Sequence, residues 1–172
     1  MRSTIGIDIA APADLVFRLA RDVERWPVLL PHYVAAIRHG APDDNGRLVV
    51  AFVARRSLVP VLGLGMSVAW RSLTWSEPAE RRLRFTHRGG ATAGMDVTWR
   101  IDERPGDACR VEIEHDFRPR VPGWASFVDR LFTGPIAGRT LATFRALAEA
   151  VAEDGPSGHG SSVEPAPADP PA

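Results

Sequence analysis

His87 completes the alternation Leu83, Phe85, His87, and His115 sits inside the alternation Val111, Ile113, His115, Phe117. Residues two apart on a strand share a face, so each imidazole is predicted to point where its apolar neighbours point, toward the core. Desolvation lowers an imidazole pKa below about 6.5 and keeps the ring neutral near pH 7. A neutral imidazole serves as a base or as a hydrogen-bond anchor. The plainer alternative is a core histidine bonded to a neighbouring hydroxyl or backbone group. Three hydroxyls join them: Tyr33, the only tyrosine of the chain, with Ser72 and Thr74. In the run from Ser67 to Trp75, the face Val68, Trp70, Ser72, Thr74 is assigned inward, because the opposite face would bury Arg71. An unpaired buried polar group costs about 1–3 kcal/mol. Tyr33, Ser72, Thr74, His87 and His115 gathered around one hollow would therefore need water or a ligand. Tyr33 also has a second reading, as a helix-to-strand cap whose hydroxyl reaches solvent.

The elements that must position these groups follow from periodicity. Ile5, Ile7 and Ile9 alternate with Gly6 and Asp8 as in a half-buried strand. A helix is predicted next, with Pro12 suited to its first position and Asp14 in its first turn. Its expected apolar stripe is Leu15, Leu19 and Val23, and it is expected to stop at Trp26-Pro27. The segment from Glu24 to Tyr33, ERWPVLLPHY, fits neither helical nor strand spacing and reads as a short helical turn covering the open end of a cavity. From Val34 to Phe117 the chain reads as strands, with alternations at Leu48, Val50, Phe52 and at Met95, Val97, Trp99, Ile101. Turn signals such as GAPDDNG and RGGATAG separate them. Short connections favour an antiparallel meander. After RPRVPG the period becomes helical: Trp124, Phe127, Val128, Leu131 and Phe132, a break at Gly134-Pro135, then Leu141, Phe144, Ala148 and Val151.

The expected fold is therefore α+β: a curved antiparallel sheet of six to seven strands wrapped around a long C-terminal helix, with two short helices after the first strand. One helix laid across a wide, curled sheet leaves a hollow between them. Residues 1–153 are expected to form this single domain. Residues 154–172, rich in Pro, Ala, Ser and Gly, cannot bury enough surface to fold and are expected to be a disordered tail.

Composition excludes several classes. With 21 basic and 21 acidic residues, the formal charge is zero, so neither nucleic acid nor an anionic membrane is attracted at long range. The single cysteine, Cys109, rules out an internal disulfide, and no Cys/His cluster has zinc spacing. Neither a metal nor an organic cofactor is expected. The longest apolar run, Ser57 to Trp70, carries Pro60, Gly63 and Gly65 and is shorter than the roughly 20 residues a spanning helix needs. No stable membrane insertion is expected, and the reading is of a cytoplasmic protein, monomeric or homodimeric.

The order strand, helix pair, meander, long helix, with APADLVFRLARDVERWPVLLPHY near the start and HRGGATAGMDVTW in the middle, resembles the polyketide cyclase/dehydrase branch of the START-like superfamily, whose fold is the helix grip. The resemblance spans roughly Ser3 to Val151. It implies that Tyr33 stands at the cavity mouth with Trp26 beside it, and that Trp70 and Ser72 lie on the pocket wall. Thr74 stands where that family carries an arginine, which removes a charged group from the pocket. The activity implied is a cofactor-independent cyclisation or dehydration of a poly-β-keto chain: Tyr33 donates to a carbonyl, His87 moves the proton, and Ser72 with Thr74 holds water or a substrate oxygen. Trp26, Trp70, Thr74, Phe85, Met95, Trp99, His115, Phe117, Phe127 and Leu131 are expected to contact the ligand. The alternative is a carrier or sensor of a lipid, isoprenoid or quinone, with the apolar segment VPVLGLGM as a lid. A blander third reading fills the hollow with the protein's own tryptophans.

Overall fold

A computed structural model describes residues 1–59, 64–90, 92–119 and 123–154, with the side chains of 56–59, 64, 125, 131 and 132 set aside. The tail from residue 155 and residues 60–63 of the VPVLGLGM segment lie outside the described residues.

Seven strands form one antiparallel sheet: β1 (Arg2–Ile9), β2 (Tyr33–His39), β3 (Leu48–Val59), β4 (Leu64–Glu77), β5 (Arg82–Gly89), β6 (Met95–Arg104) and β7 (Ala108–Phe117). Their spatial order is β1-β7-β6-β5-β4-β3-β2. The strands from β2 to β7 are a plain meander, and β1 closes against β7. The chain between β1 and β2 must therefore cross from one edge of the sheet to the other. It does so through α1 (Ala13–Arg21), a 3-10 turn (Val23–Arg25) and α2 (Trp26–Leu29). The C-terminal segment is α3 (Trp124–Val128), a π-helical turn (Asp129–Thr133) and α4 (Gly134–Glu153). This is the helix-grip architecture expected, at the upper strand count.

Strand parity behaves as the sequence predicts. Along β7 every second residue, Cys109 through Phe117, is buried, and along β6 Met95, Val97, Trp99 and Ile101 are buried. Register carries the face across the sheet: His115 pairs with Val97, Val97 with Phe85 and Phe85 with Thr74, while His87 pairs with Ser72 and Trp70 with Phe52. Val68, Ser72 and Thr74 are buried and Arg71 is exposed, as assigned.

The helices differ from expectation in three places. In α1 the buried face is Ala13, Val16, Phe17 and Ala20, and Leu15 and Leu19 are only partly covered. The larger leucines lie at the rim, and the small alanines permit the close approach. The helix ends at Arg21, with Asp22 following, before Trp26-Pro27, and those two residues open α2. The interruption at Gly134-Pro135 takes the form of the π-helical turn just before it. Of the residues grouped with Trp124, Val128 is fully buried, whereas Trp124 and Phe127 stack on each other at the surface with centroids 5.3 Å apart. Val151, near the end of α4, is exposed. The stripe that meets the core is Ala137, Thr140, Leu141, Phe144 and Ala148.

Candidate functional site

Between α4 and the inner face of the sheet lies a cavity of about 70 Å³. One wall is aromatic: Trp26, Tyr33, Phe52, Trp70, Phe85 and Trp99. The lining also includes polar groups: His87, Thr92, His115, Thr133 and Thr140. Ligand pockets generally run to about 300–1,000 Å³, and an engineered cavity of about 150 Å³ admits benzene. The free space here suits a few water molecules or a small fragment. The open chamber expected from the fold is thus mostly filled by its own rings.

Trp26 explains much of the filling. It lies 5.1 Å from Tyr33, 5.7 Å from both Phe52 and Phe85, and 5.3 Å from Trp99, ring centre to ring centre. Its indole N–H donates to the Ala20 carbonyl at 3.0 Å, so the C-terminal end of α1 holds the ring in place. ERWPVLLPHY thereby covers the cavity with α2 and inserts Trp26 and Tyr33 into it. Trp70 is less confined. It stacks between Phe52 at 5.4 Å and His87 at 5.8 Å, and it keeps partial exposure.

The polar groups include two neutral imidazoles. His87 Nδ1 stands 2.8 Å from the Thr92 hydroxyl, the hydroxyl partner that the plainer reading anticipates, and its Nε2 is left without a bond to the described protein groups. Burial, with a contribution from His115, takes its pKa down to about 3. His115 is 6% exposed and makes no side-chain hydrogen bond among the described residues. Burial takes its pKa to about 4, against the opposing pull of the Asp129 carboxylate. Asp129 itself accepts hydrogen bonds from Ser3 at 2.8 Å and Thr133 at 2.7 Å. Burial pushes the Tyr33 phenol well above its ordinary pKa, and the nearby Thr140 hydroxyl partly offsets this. Tyr33 is 6% exposed, so its hydroxyl does not reach solvent.

Of the sequence-predicted site residues, the structure brings Tyr33, His87, His115, Trp26, Trp70, Phe85 and Trp99 onto the cavity wall. Ser72 and Thr74 point inward but lie behind that wall. Ser72 donates to the Leu73 carbonyl at 3.3 Å and Thr74 to the Leu48 carbonyl at 3.4 Å, so neither hydroxyl is presented to a guest. Met95 and Phe117 are fully buried behind the lining layer, and Phe127 is half exposed outside it. The Leu131 side chain lies outside the described residues. Sequence reasoning passed over Thr92, Thr133, Thr140 and His32. A hydroxyl inside an apolar helical stripe was the available signal for Thr140. His32, in the irregular link between α2 and β2, belongs to no periodic pattern. Among the described residues no three His, Cys, Asp or Glu side chains converge as a metal site would require, and no helix is long and apolar enough to cross a membrane.

A seven-stranded antiparallel sheet gripping a C-terminal helix, with short helices after β1 and an internal cavity between, defines a START-like helix-grip domain. The chain belongs to the family of polyketide cyclases/dehydrases and lipid transport proteins, which it matches over residues 2–152. It is 26% identical over 113 residues to a granaticin polyketide synthase bifunctional cyclase/dehydratase of Streptomyces virginiae, an alignment covering 64% of this chain and 34% of that protein. The chain thus spans about a third of that relative's length. Among solved structures it resembles the Zhui aromatase/cyclase of Streptomyces sp. R1128, with a TM-score of 0.68, 18% identity and coverage of 87% of this chain and 93% of that one. It also resembles a START superfamily protein of Mycobacterium smegmatis, with a TM-score of 0.67, 15% identity and coverage of 87% and 98%. At these identities the structural likenesses establish the fold.

Proposed function

We propose that this domain binds an uncharged, carbonyl-bearing hydrophobic molecule in the cavity between α4 and the sheet and promotes its cyclisation or dehydration without a cofactor. The observation that carries the reading is that Tyr33 and two neutral imidazoles line one cavity whose other large side chains are aromatic. None of the described lining side chains is a permanent cation, so a buried carboxylate would find no counter-charge and would incur its full desolvation cost. A neutral ketone or enol incurs none of that cost.

In the proposed reaction a C–H next to a carbonyl, a methylene or a terminal methyl of the chain, loses a proton to an imidazole nitrogen. The electron pair moves onto the carbonyl oxygen, where the Tyr33 hydroxyl donates to the developing enolate. The enolate carbon attacks a distal carbonyl of the same chain, forming the ring bond; the imidazolium returns its proton to the resulting alkoxide, and removal of a second proton from the adjacent α-carbon expels hydroxide, which leaves as water with that proton. His87 is the better placed base, because an Nδ1–H donated to Thr92 leaves the Nε2 lone pair for the substrate. Its low pKa makes it a weak base at rest. A neighbouring enolate would stabilise the imidazolium as it forms.

The curated relative's name supports cyclase/dehydratase chemistry, and the family description also includes lipid transport. Carriage of an acyl chain would need several hundred Å³, a larger opening of the cavity than a short polyketide requires. Heptane-2,4,6-trione tests this directly, since its aldol closure and loss of one water give a dihydroxytoluene detectable by its phenol absorbance. The protein should accelerate that conversion, with Tyr33→Phe and His87→Ala each lowering turnover while triketone binding stays within about tenfold. Turnover in both variants equal to that of the unmodified protein would remove the assignment.

A further inference from the structure

A buried hydrogen-bonded group next to the cavity is unused by the chemistry above. His32 immediately precedes Tyr33 and is 4% exposed. Its Nε2 stands 2.8 Å from Thr140 Oγ1, and the same hydroxyl lies 2.9 Å from the Ile136 carbonyl one turn back in α4. The Tyr33 phenol interacts with this hydroxyl as well, and the His32 and Tyr33 rings are 4.9 Å apart. The bonds to His32 and Ile136 are the well-formed ones; Tyr33 shares the hydroxyl more loosely. Tyr33 and Thr140 both line the cavity.

Proton counting fixes how this group can be arranged. A threonine hydroxyl has one proton and two lone pairs, and a carbonyl only accepts. With the Thr140 proton on Ile136, its lone pairs accept from His32 Nε2–H and, at the looser contact, are open to Tyr33 O–H. The Tyr33 proton then points at α4, away from any guest. For Tyr33 to donate into the cavity and keep its bond to Thr140, Thr140 must turn its proton from Ile136 to the Tyr33 oxygen. His32 Nε2–H satisfies Thr140 in both arrangements. The second arrangement is a chain from His32 through Thr140 and Tyr33 to a ligand oxygen, in which each donor polarises the next.

We propose that His32 and Thr140 are positioning residues that set the direction of the Tyr33 hydroxyl proton, with His32 held as its Nε2–H tautomer. The inference rests on the reading that Tyr33 addresses a ligand oxygen, and it adds the two groups that decide whether Tyr33 donates or accepts there.

Because the chain contains a single tyrosine, ultraviolet resonance Raman reads Tyr33 alone, through the tyrosine Fermi doublet whose intensity ratio separates donating from accepting phenols. In the empty protein, Thr140→Val should shift that ratio and Thr140→Ser should preserve it. His32→Leu should shift it, and His32→Gln, which can return an N–H near the Nε2 position, should restore it. Nitrogen-15 correlation spectra of the unmodified protein should show the Nε2–H tautomer at His32, a measurement that does not depend on any variant folding. A doublet unmoved by Thr140→Val, a His32→Gln protein indistinguishable from His32→Leu, or an Nδ1–H tautomer would each overturn the proposal. Acetone serves as the carbonyl probe, since the free space is about half of what admits benzene. Its addition should shift the doublet toward a stronger donor in the unmodified protein and not in Thr140→Val. If the variants behave as expected while acetone produces no shift, the positioning roles stand and the ligand-binding reading falls.

Discussion

Three buried histidines make the stability of this domain sensitive to mild acid. Burial holds His32 at a pKa of about 4, with the Arg139 charge adding to the effect, His87 at about 3 and His115 at about 4. In the unfolded chain each returns to about 6.5. Below that value the unfolded state takes up protons that the folded state refuses, so stability must fall as pH falls. Above it both states are neutral and nothing changes. Each histidine then removes about 1.4 kcal/mol per pH unit, and the three together about 4 kcal/mol per unit through the window from about 6.5 to 4. Against a total stability of about 5–15 kcal/mol, a descent of two units should remove about 8 kcal/mol, half of that stability or more. Carboxylates held low by arginine partners, such as Glu112 beside Arg110, give way only below their ordinary value of 4.5, so the two causes occupy different windows. At the alkaline end the sign reverses. Cys109, pushed by burial to about 11 from 9.0, and Tyr33, raised from 10.0, hold protons that the unfolded chain releases. Stability should therefore be level between about pH 6.5 and 9 and fall on both sides. Urea unfolding at half-unit steps from pH 8 to 4.5 measures this, and His115→Leu should remove about a third of the acid slope. A free energy of unfolding that stays flat between pH 7 and 5 would refute the burial of neutral imidazoles.

Two further predictions concern packing. A Cβ on Gly90 would stand 2.4 Å from the Ala69 carbonyl oxygen at a φ of +80°, whereas one on Gly40, at +79°, meets nothing within 4 Å; Gly90→Ala should cost well over 2 kcal/mol and Gly40→Ala only about 1 kcal/mol, both read by urea midpoint. Phe144 is fully buried and its ring sits 5.6 Å from Trp99 and 6.2 Å from Trp26, so Phe144→Ala should lower unfolding free energy by about 3–5 kcal/mol in the same assay.

Direction was readable in the sequence and depth was not. A sheet with one buried face leaves a strict two-residue period, and that period placed His87, His115, Trp70 and Trp99 inward. It placed Ser72 and Thr74 inward too, correctly, yet Ser72 donates to the Leu73 carbonyl of its own strand and Thr74 to the Leu48 carbonyl of β3, and neither is among the cavity-lining residues. Whether an inward side chain reaches the hollow depends on the size of the residues beside it, and the neighbours of these two on the inner face include the large rings Trp70 and Phe85. In helices the reading leaned on side-chain size, and it chose Leu15 and Leu19 over the Ala13, Val16, Phe17, Ala20 face that α1 buries. Close packing against a helix favours small residues, which carry little weight in a hydrophobic stripe. Trp124 and Phe127 fitted the apolar stripe but lie on a five-residue helix before the π-helical turn, where the added residue per turn rotates the face away from that of α4.

The same ring cluster that fills the cavity also indicates how a guest would enter it. A space of about 70 Å³ does not admit a triketone, so the proposed chemistry requires one wall to move. Trp26 is held by its bond to Ala20 and by contacts with Tyr33, Phe52, Phe85, Trp99 and Phe144, and displacing it would uncover the core. Trp70 makes no side-chain hydrogen bond among the described residues, keeps some exposure and rests between Phe52 and His87, in T-shaped contact with Tyr33. Swinging Trp70 outward would vacate an indole-sized volume and uncover the imidazole assigned as the base in one movement. A guest would then replace the indole on the ring face of His87, whose Nε2 lone pair lies in the ring plane and carries no bond to the described protein groups.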